Sequence, residues 1–235
     1  MNDVVSKDII RKFNYMIAGE LITNIIPPLR TSDTVRKALD RMNEFKLYHL
    51  PIVNEIQYLG LVSEEELMGA RDMEIAIGAL PISLLNSFAF ENAHIYEVIR
   101  LFSELQLSVV PVLDQQKNYL GLVSINHLLN YTANLYAVNE PGGIIVLSIS
   151  NRNNSLSHMS QIVEAENAQI LSSYVSSFPD STRLEVTLKI NKTELSAIVA
   201  SFERYDYEVK AVFNNSSYDD GSMDRFNSFM NYLNV

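Results

Sequence analysis

Apolar residues at Val35, Ala38, Leu39, Met42 and Phe45 recur at spacings of three and four. That stripe predicts an amphipathic helix. Sixty residues later Ile95, Val98, Ile99, Phe102 and Leu105 repeat the same series. Behind each helix comes a short apolar run with a proline, Leu50-Pro51-Ile52-Val53 and Val110-Pro111-Val112-Leu113. A polar turn and a second run follow, Tyr58-Leu59-Gly60-Leu61-Val62-Ser63 and Tyr119-Leu120-Gly121-Leu122-Val123-Ser124. The prolines lie 60 residues apart and the glycines 61, so the second copy carries one more residue in its turn. Each copy therefore predicts helix, strand, turn, strand and a second helix, over 65–70 and 126–132. Thr23 and Ser83 also match at 60 residues, ahead of an extended segment before each first helix. Self-similarity at a fixed period is an architectural signature.

Residues 1–26 predict a lead-in helix with Ile9, Ile10, Phe13, Ile17 and Leu21 on one face, stopped by Pro27-Pro28. Ser32-Asp33-Thr34 is the expected cap of the first repeat's helix, where an oxygen satisfies orphan amides. Residues 71–81 are expected to form a linking helix closed by Pro81.

Beyond Pro141-Gly142-Gly143 the pattern changes. Residues 144–149 form an apolar run, and Leu156, Met159, Ile162 and Val163 mark a helix. Residues 168–176 read as a strand, turned by Phe178-Pro179-Asp180-Ser181. Leu184, Val186, Leu188 and Ile190 alternate strictly, the period of a half-buried strand. Leu195, Ile198, Val199 and Phe202 mark a second helix, and 209–213 a last strand. The order βαββαβ is the ferredoxin-like plan. A polar linker over 214–221 leads to Met223, Phe226, Phe229, Met230 and Leu233 on one face of a short terminal helix. Such a helix is marginal alone and is expected to dock as a clasp on the repeats.

Composition narrows the classes. In 235 residues, 28 acidic side chains stand against 18 basic ones, a net charge of −10. That balance disfavours general binding to nucleic acid or to an anionic membrane surface. Cysteine is absent, which removes disulfides, thiolate catalysis and cysteine metal sites. No signal-type or spanning apolar run occurs, so a soluble cytoplasmic protein is expected. His49, His94, His127 and His158 show no metal-ligand spacing, and no catalytic motif is present. The chain reads as a non-enzyme that requires no cofactor.

The two copies, with their Pro, turn, aliphatic-Gly-aliphatic-Val-Ser pattern, resemble the cystathionine β-synthase (CBS) domain. The resemblance implies a pair of repeats packed sheet to sheet, with two clefts between them. It implies that a cleft takes AMP, ADP, ATP or S-adenosylmethionine as a regulatory ligand. In that family a Ser/Thr hydroxyl after the second strand meets phosphate or ribose, and an Asp three residues on accepts both ribose hydroxyls. Here those positions hold Ser63 and Glu66 in the first repeat, Ser124 and His127 in the second. Thr23 and Ile26, just before the first helix, are expected on the cleft wall. Glu keeps the charge with one more methylene, whereas His cannot accept two hydroxyl bonds in that way. The other reading of both serines is a helix cap, with Ser63-x-x-Glu66 a capping box.

The later region resembles an ACT domain, a regulatory module that often binds amino acids at a dimer interface. The family's Asp-x-Pro-Gly-x-Leu loop stands here as Asn151-Arg152-Asn153-Asn154-Ser155-Leu156, without the proline or the aspartate. The whole architecture resembles the acetoin utilisation proteins. The expectation is thus an α/β (α+β) chain of paired CBS repeats plus a ferredoxin-like βαββαβ domain. Residues 1–140 would form the CBS pair, with repeats of about 15–78 and 79–135. Residues 141–214 would form the ACT-like domain, and 215–235 the linker and terminal helix. The expected function is regulatory sensing of an adenosyl ligand by a homodimer with a client enzyme or transporter. The alternative is a structural or protein-interaction module with degenerate, non-binding sites.

Overall fold

The first helix starts where a side chain can satisfy its free amides. In a computed structural model, which describes residues 16–150, 155–177 and 183–214, Thr34 Oγ1 accepts from Lys37 N–H at 3.3 Å. Helix α1 (Val35–Phe45) then buries Val35, Ala38 and Met42. It ends at Lys46 in the left-handed conformation, and Leu47 N–H turns back to Met42 O at 2.8 Å, a common way to satisfy terminal carbonyls. Strands β1 (His49–Asn54) and β2 (Gln57–Ser63) pair antiparallel, and α2 (Glu64–Met68) follows at once.

The second repeat retraces this path. Strand β3 (Ala89–Phe90) runs parallel to β4 (Val109–Leu113), and β4 pairs antiparallel with β5 (Tyr119–Ser124). Helix α3 (Ile95–Leu105) precedes β4 and α4 (Ile125–Leu135) follows β5. The register breaks one step past the proline-adjacent residue in both hairpins, at Ile52/Val53 and Val112/Leu113.

The repeats interlock through their lead-in segments. Ala18 and Gly19 N–H donate to Ala93 and Glu91 O, and Thr23 N–H donates to Leu122 O, each at 2.8 Å. In the mirror exchange, Leu61 and Leu85 trade both backbone bonds at 2.9 and 3.0 Å. These crossings explain the two motif glycines. A Cβ on Gly60 would lie 2.6 Å from Leu84 Cβ, and one on Gly121 2.3 Å from Ile22 Cγ2. One continuous core joins both repeats, from Leu50, Ile52 and Val62 to Val110, Val112 and Val123, all at most 1% exposed. Burying each large apolar side chain contributes about 1.5–3 kcal/mol.

Two expected helices are different in the structure. Of the lead-in, residues 1–15 lie outside the described residues. Within the rest, only Ala18–Leu21 forms a 3-10 turn, and Ile17 and Thr23 are bridged as extended chain. Of the apolar residues that suggested a helix, Leu21 is buried and Ile17, half-buried, is bridged to His94 of the second repeat. The linker 71–81 holds a single 3-10 turn, Ile77–Ala79. Its carbonyls serve another helix: Ile75 O and Met73 O accept from Val35 and Arg36 N–H at 3.1 and 2.9 Å. A segment that supplies acceptors to the first turn of α1 gains more than it would as a short helix of its own.

The chain forms two compact units, with the boundary between Tyr131 and Thr132. In the second, β6 (Gly143–Ser150), α5 (Leu156–Ala165), β7 (Ile170–Ser177), β8 (Arg183–Ile190), α6 (Ser196–Arg204) and β9 (Glu208–Asn214) follow in turn. The sheet order is β7-β8-β6-β9, antiparallel throughout. That is the ferredoxin-like arrangement expected from βαββαβ. Ile145, Leu147 and Ile149 of β6 and Val186, Leu188 and Ile190 of β8 pack with Met159, Ile162, Ile198 and Phe202 of the helices. The terminal-helix expectation over 222–235 and the Asn151–Asn154 part of the ACT-type loop lie outside the described residues. Ser155 caps α5, its Oγ accepting from His158 N–H at 3.2 Å.

Candidate functional site

At the end of β2 the strand runs straight into a helix N-terminus, which places a hydroxyl and a carboxylate side by side. Ser63 Oγ accepts from Glu66 N–H at 3.2 Å. Glu66 Oε2 accepts in return from the Ser63 N–H and the Ser63 hydroxyl, both at 3.1 Å. The capping box is therefore complete, and it holds Glu66 in place with Oε1 as its second acceptor oxygen. Glu64 and Glu65 add negative charge to the same first turn, which suits the helix dipole.

His49, at the start of β1, belongs to this corner. Burial of its ring pushes its pKa below the ordinary histidine value, and the charge of Glu66 opposes that shift. Its Nδ1 lies 3.4 Å from the Ser108 N and Oγ. Ser108, only 7% exposed, accepts from Tyr48 and His49 N–H at 3.0 and 2.9 Å. Tyr48 and Ser108 are equivalent residues of the two repeats, so the pair meets itself at this point. The sequence reading did not place His49 here. Its position next to Leu50-Pro51 was the available signal, but only the fold brings it near Glu66.

The second repeat builds half of the same corner. Ser124 Oγ accepts from His127 N–H at 3.2 Å, yet His127 is exposed and Ser124 is 7% exposed. No carboxylate stands at this turn. Thr23 runs beside the second repeat's strand through its bond to Leu122 O, two residues before Ser124. Its Oγ1 accepts from Ile25 N–H at 3.4 Å, while Ile26 is buried at 8% exposure. The structure thus joins Ser63 to Glu66, and brings the backbone of Thr23 to the strand that ends in Ser124.

Two equivalent tyrosines of this unit are half-buried. Burial raises the pKa of both Tyr58 and Tyr119, and the Tyr58 hydroxyl donates to Ser87 O at 2.7 Å. Among the described residues, no cluster of three His, Cys, Asp or Glu side chains is arranged to hold a metal ion, and no helix is long and apolar enough to cross a membrane.

The CBS domain family model matches residues 18–72 and 88–134. A CBS domain pair/ACT domain protein from Thermotoga maritima is 26% identical over 51% of this chain and 98% of its own, with a TM-score of 0.46. The structure of CBSX2 in complex with AMP is 18% identical over 50% of this chain and 96% of its own, with a TM-score of 0.44. The CBS domains of a transcriptional regulator from Streptococcus pneumoniae are 18% identical, covering 50% and 99% of the two chains, with a TM-score of 0.44. The matched segments coincide with the two interlocked repeats, each with its strand, glycine crossing and capped helix. Residues 18–72 and 88–134 of this chain are a pair of CBS domains.

Proposed function

We propose that this chain is a non-enzymatic, ligand-sensing regulatory protein whose CBS pair binds AMP, ADP, ATP or a related adenosyl ligand such as S-adenosylmethionine. The observation that carries this reading is the Ser63–Glu66 corner: a hydroxyl and a carboxylate fixed together at a helix N-terminus. The amides of Ser63, Glu64 and Glu66 are already bonded within the protein, so the hydroxyl and the carboxylate, not the helix end, are the groups this reading offers to a ligand. Glu66 supplies a charged acceptor for ribose hydroxyls, and His49 stands beside it. Thr23 and Ile26 line the approach, and the second repeat, with Ser124 and His127, is the weaker site. The ligand acts by population shift, binding one arrangement of the pair better than another.

The division into a CBS pair over 1–140, an ACT-like domain over 141–214 and a linker with terminal helix over 215–235 belongs to this reading. So do a cytoplasmic homodimer, a client enzyme or transporter, coupling from the CBS pair to the ACT-like domain, and kinship with the acetoin utilisation proteins. Titration calorimetry with AMP, ADP, ATP and S-adenosylmethionine tests it. One of the four is expected to bind at micromolar to millimolar concentration and to raise the melting temperature. If none binds, the regulatory reading fails. The alternative, an interaction module without a working ligand site, is supported by the closed capping box at Ser63 and the missing carboxylate after Ser124.

A further inference from the structure

The second unit's sheet has two faces, and the helices cover one. On the other, residues Tyr136, Val138, Ile144, Tyr174 and Phe213 wall a cavity of about 550 Å³. Lys189 of β8 lines the same cavity and is only 6% exposed. A charge so buried normally has a counter-ion, because lysine is almost never fully buried unpaired. Lys189 has none within 4 Å among the described residues. Among the described residues its Nζ makes one long bond, to Gly142 O at 3.4 Å, while an ammonium has three donors. The nearest carboxylate on its own strand face, Glu185, is four residues away, about 13 Å along the strand, and pairs with Lys210 at 3.6 Å.

The surrounding polar groups do not supply the missing negative charge. Ser172 spends its hydroxyl on Tyr136 O at 2.9 Å, and Thr187 is neutral. Tyr136 and Tyr174 meet edge to face at 5.7 Å, which fixes two of the lining side chains against each other. A volume of this size, apolar walls and one convergent charge are the attributes of a small-molecule site.

We infer that this outer sheet face binds a small amphiphilic carboxylate, its apolar body against Ile144, Tyr174 and Phe213 and its carboxylate on Lys189. The site is separate from the proposed nucleotide corner. It does not depend on that reading.

The test uses the full chain with octanoate and 3-phenylpropionate as probes and 1-octanol as the uncharged control, read by titration calorimetry. The carboxylates are expected to bind and octanol to bind at least about tenfold more weakly, the ratio for one charge-assisted bond. Lys189→Met keeps an apolar stem and is expected to abolish that preference while retaining the native circular dichroism spectrum. Ile144→Phe keeps the charge but fills the floor, and is expected to weaken both carboxylates. Equal binding of acid and alcohol to the native chain overturns the inference, as does failure of either acid to bind. Binding that appears only after removal of residues 215–235 also overturns it, because the chain's own end would then be the occupant.

Discussion

The two CBS repeats share a backbone and differ in what their second hairpin delivers. Both end a Tyr-Leu-Gly-Leu-Val-Ser strand in a serine that caps the next helix, with 3.2 Å bonds from the amide three residues on. In the first repeat that third residue is Glu66, which closes back on Ser63. In the second it is His127, which stays in solvent. One backbone device thus serves two purposes. The cap is needed for the helix in both copies, and only the side chain at the third position makes the corner a candidate for ribose. The lesson is that a shared motif serine identifies the fold, whereas its neighbour decides the chemistry.

The sharpest way to break the symmetry is at the crossings. Gly60→Ala places a Cβ 2.6 Å from Leu84 Cβ, an atom fixed to the backbone, at φ 150°. Overpacking costs about 1–3 kcal/mol, and the strained backbone a further ~1–3 kcal/mol. Gly121→Ala, at φ 156°, places a Cβ 2.3 Å from Ile22 Cγ2, a branch methyl that rotation about χ1 of a half-buried side chain can carry away. It is expected to lose less stability than Gly60→Ala in urea titrations. A larger loss at Gly121 would show that Ile22 cannot yield.

Asp33 comes next, since the second repeat has Ala93 in its place, which keeps the backbone bonds and has no side-chain bonds to match the carboxylate's. Burial alone would raise the Asp33 pKa. The hydrogen bonds from Lys37 Nζ at 2.6 Å and Arg30 N–H at 2.9 Å, with the charges of Lys37 and Arg41, outweigh it and hold the pKa below the usual carboxylate range. The depressed folded pKa means stability that is present above the ordinary value of 3.8 and lost as pH falls through the folded one. Asp33→Asn is expected to cost about 1.5–3 kcal/mol at pH 7, with the gap to wild type closing in acid.

A third comparison sharpens the site itself. Glu66→Ala is expected to weaken AMP several-fold in calorimetry, and His127→Ala to leave it unchanged. Equal effects would remove the asymmetry between the repeats. Because Ser63 and Ser124 both cap, Ser→Ala at either should cost about 0.5–2 kcal/mol in stability.

The smallest effect concerns His49, whose counterpart in the second repeat is Val109. Burial lowers its pKa, so the folded state resists its protonation. Stability is therefore expected to fall slightly as pH drops below the ordinary value of 6.5. His49→Val should flatten that part of the pH–stability profile. An unchanged slope would assign it to another group.

Sequence alone determined the features that are local and periodic. The 60-residue offset located both repeats, because the same succession of helix, strand, turn and strand recurs, with one extra turn residue in the second copy. The alternation of Leu184, Val186, Leu188 and Ile190 located β8, because successive strand residues face opposite sides. Ser63-x-x-Glu66 announced its capping box, since both partners lie within one turn. Tertiary structure alone decided what depends on distant partners. Residues 16–26 have an apolar pattern compatible with a helix, but the free edges at Ala93 and Leu122 offered better hydrogen bonds and drew the segment out as chain. The linker after residue 70 supplies acceptors to the first turn of α1 for the same reason. His49 reached Glu66 only because β1 and β2 pair, and Lys189 met an apolar cavity only because the helices chose the opposite face of the sheet. Patterns record which side of an element is apolar; the packing of the whole chain settles which neighbour that side, or its reverse, will meet.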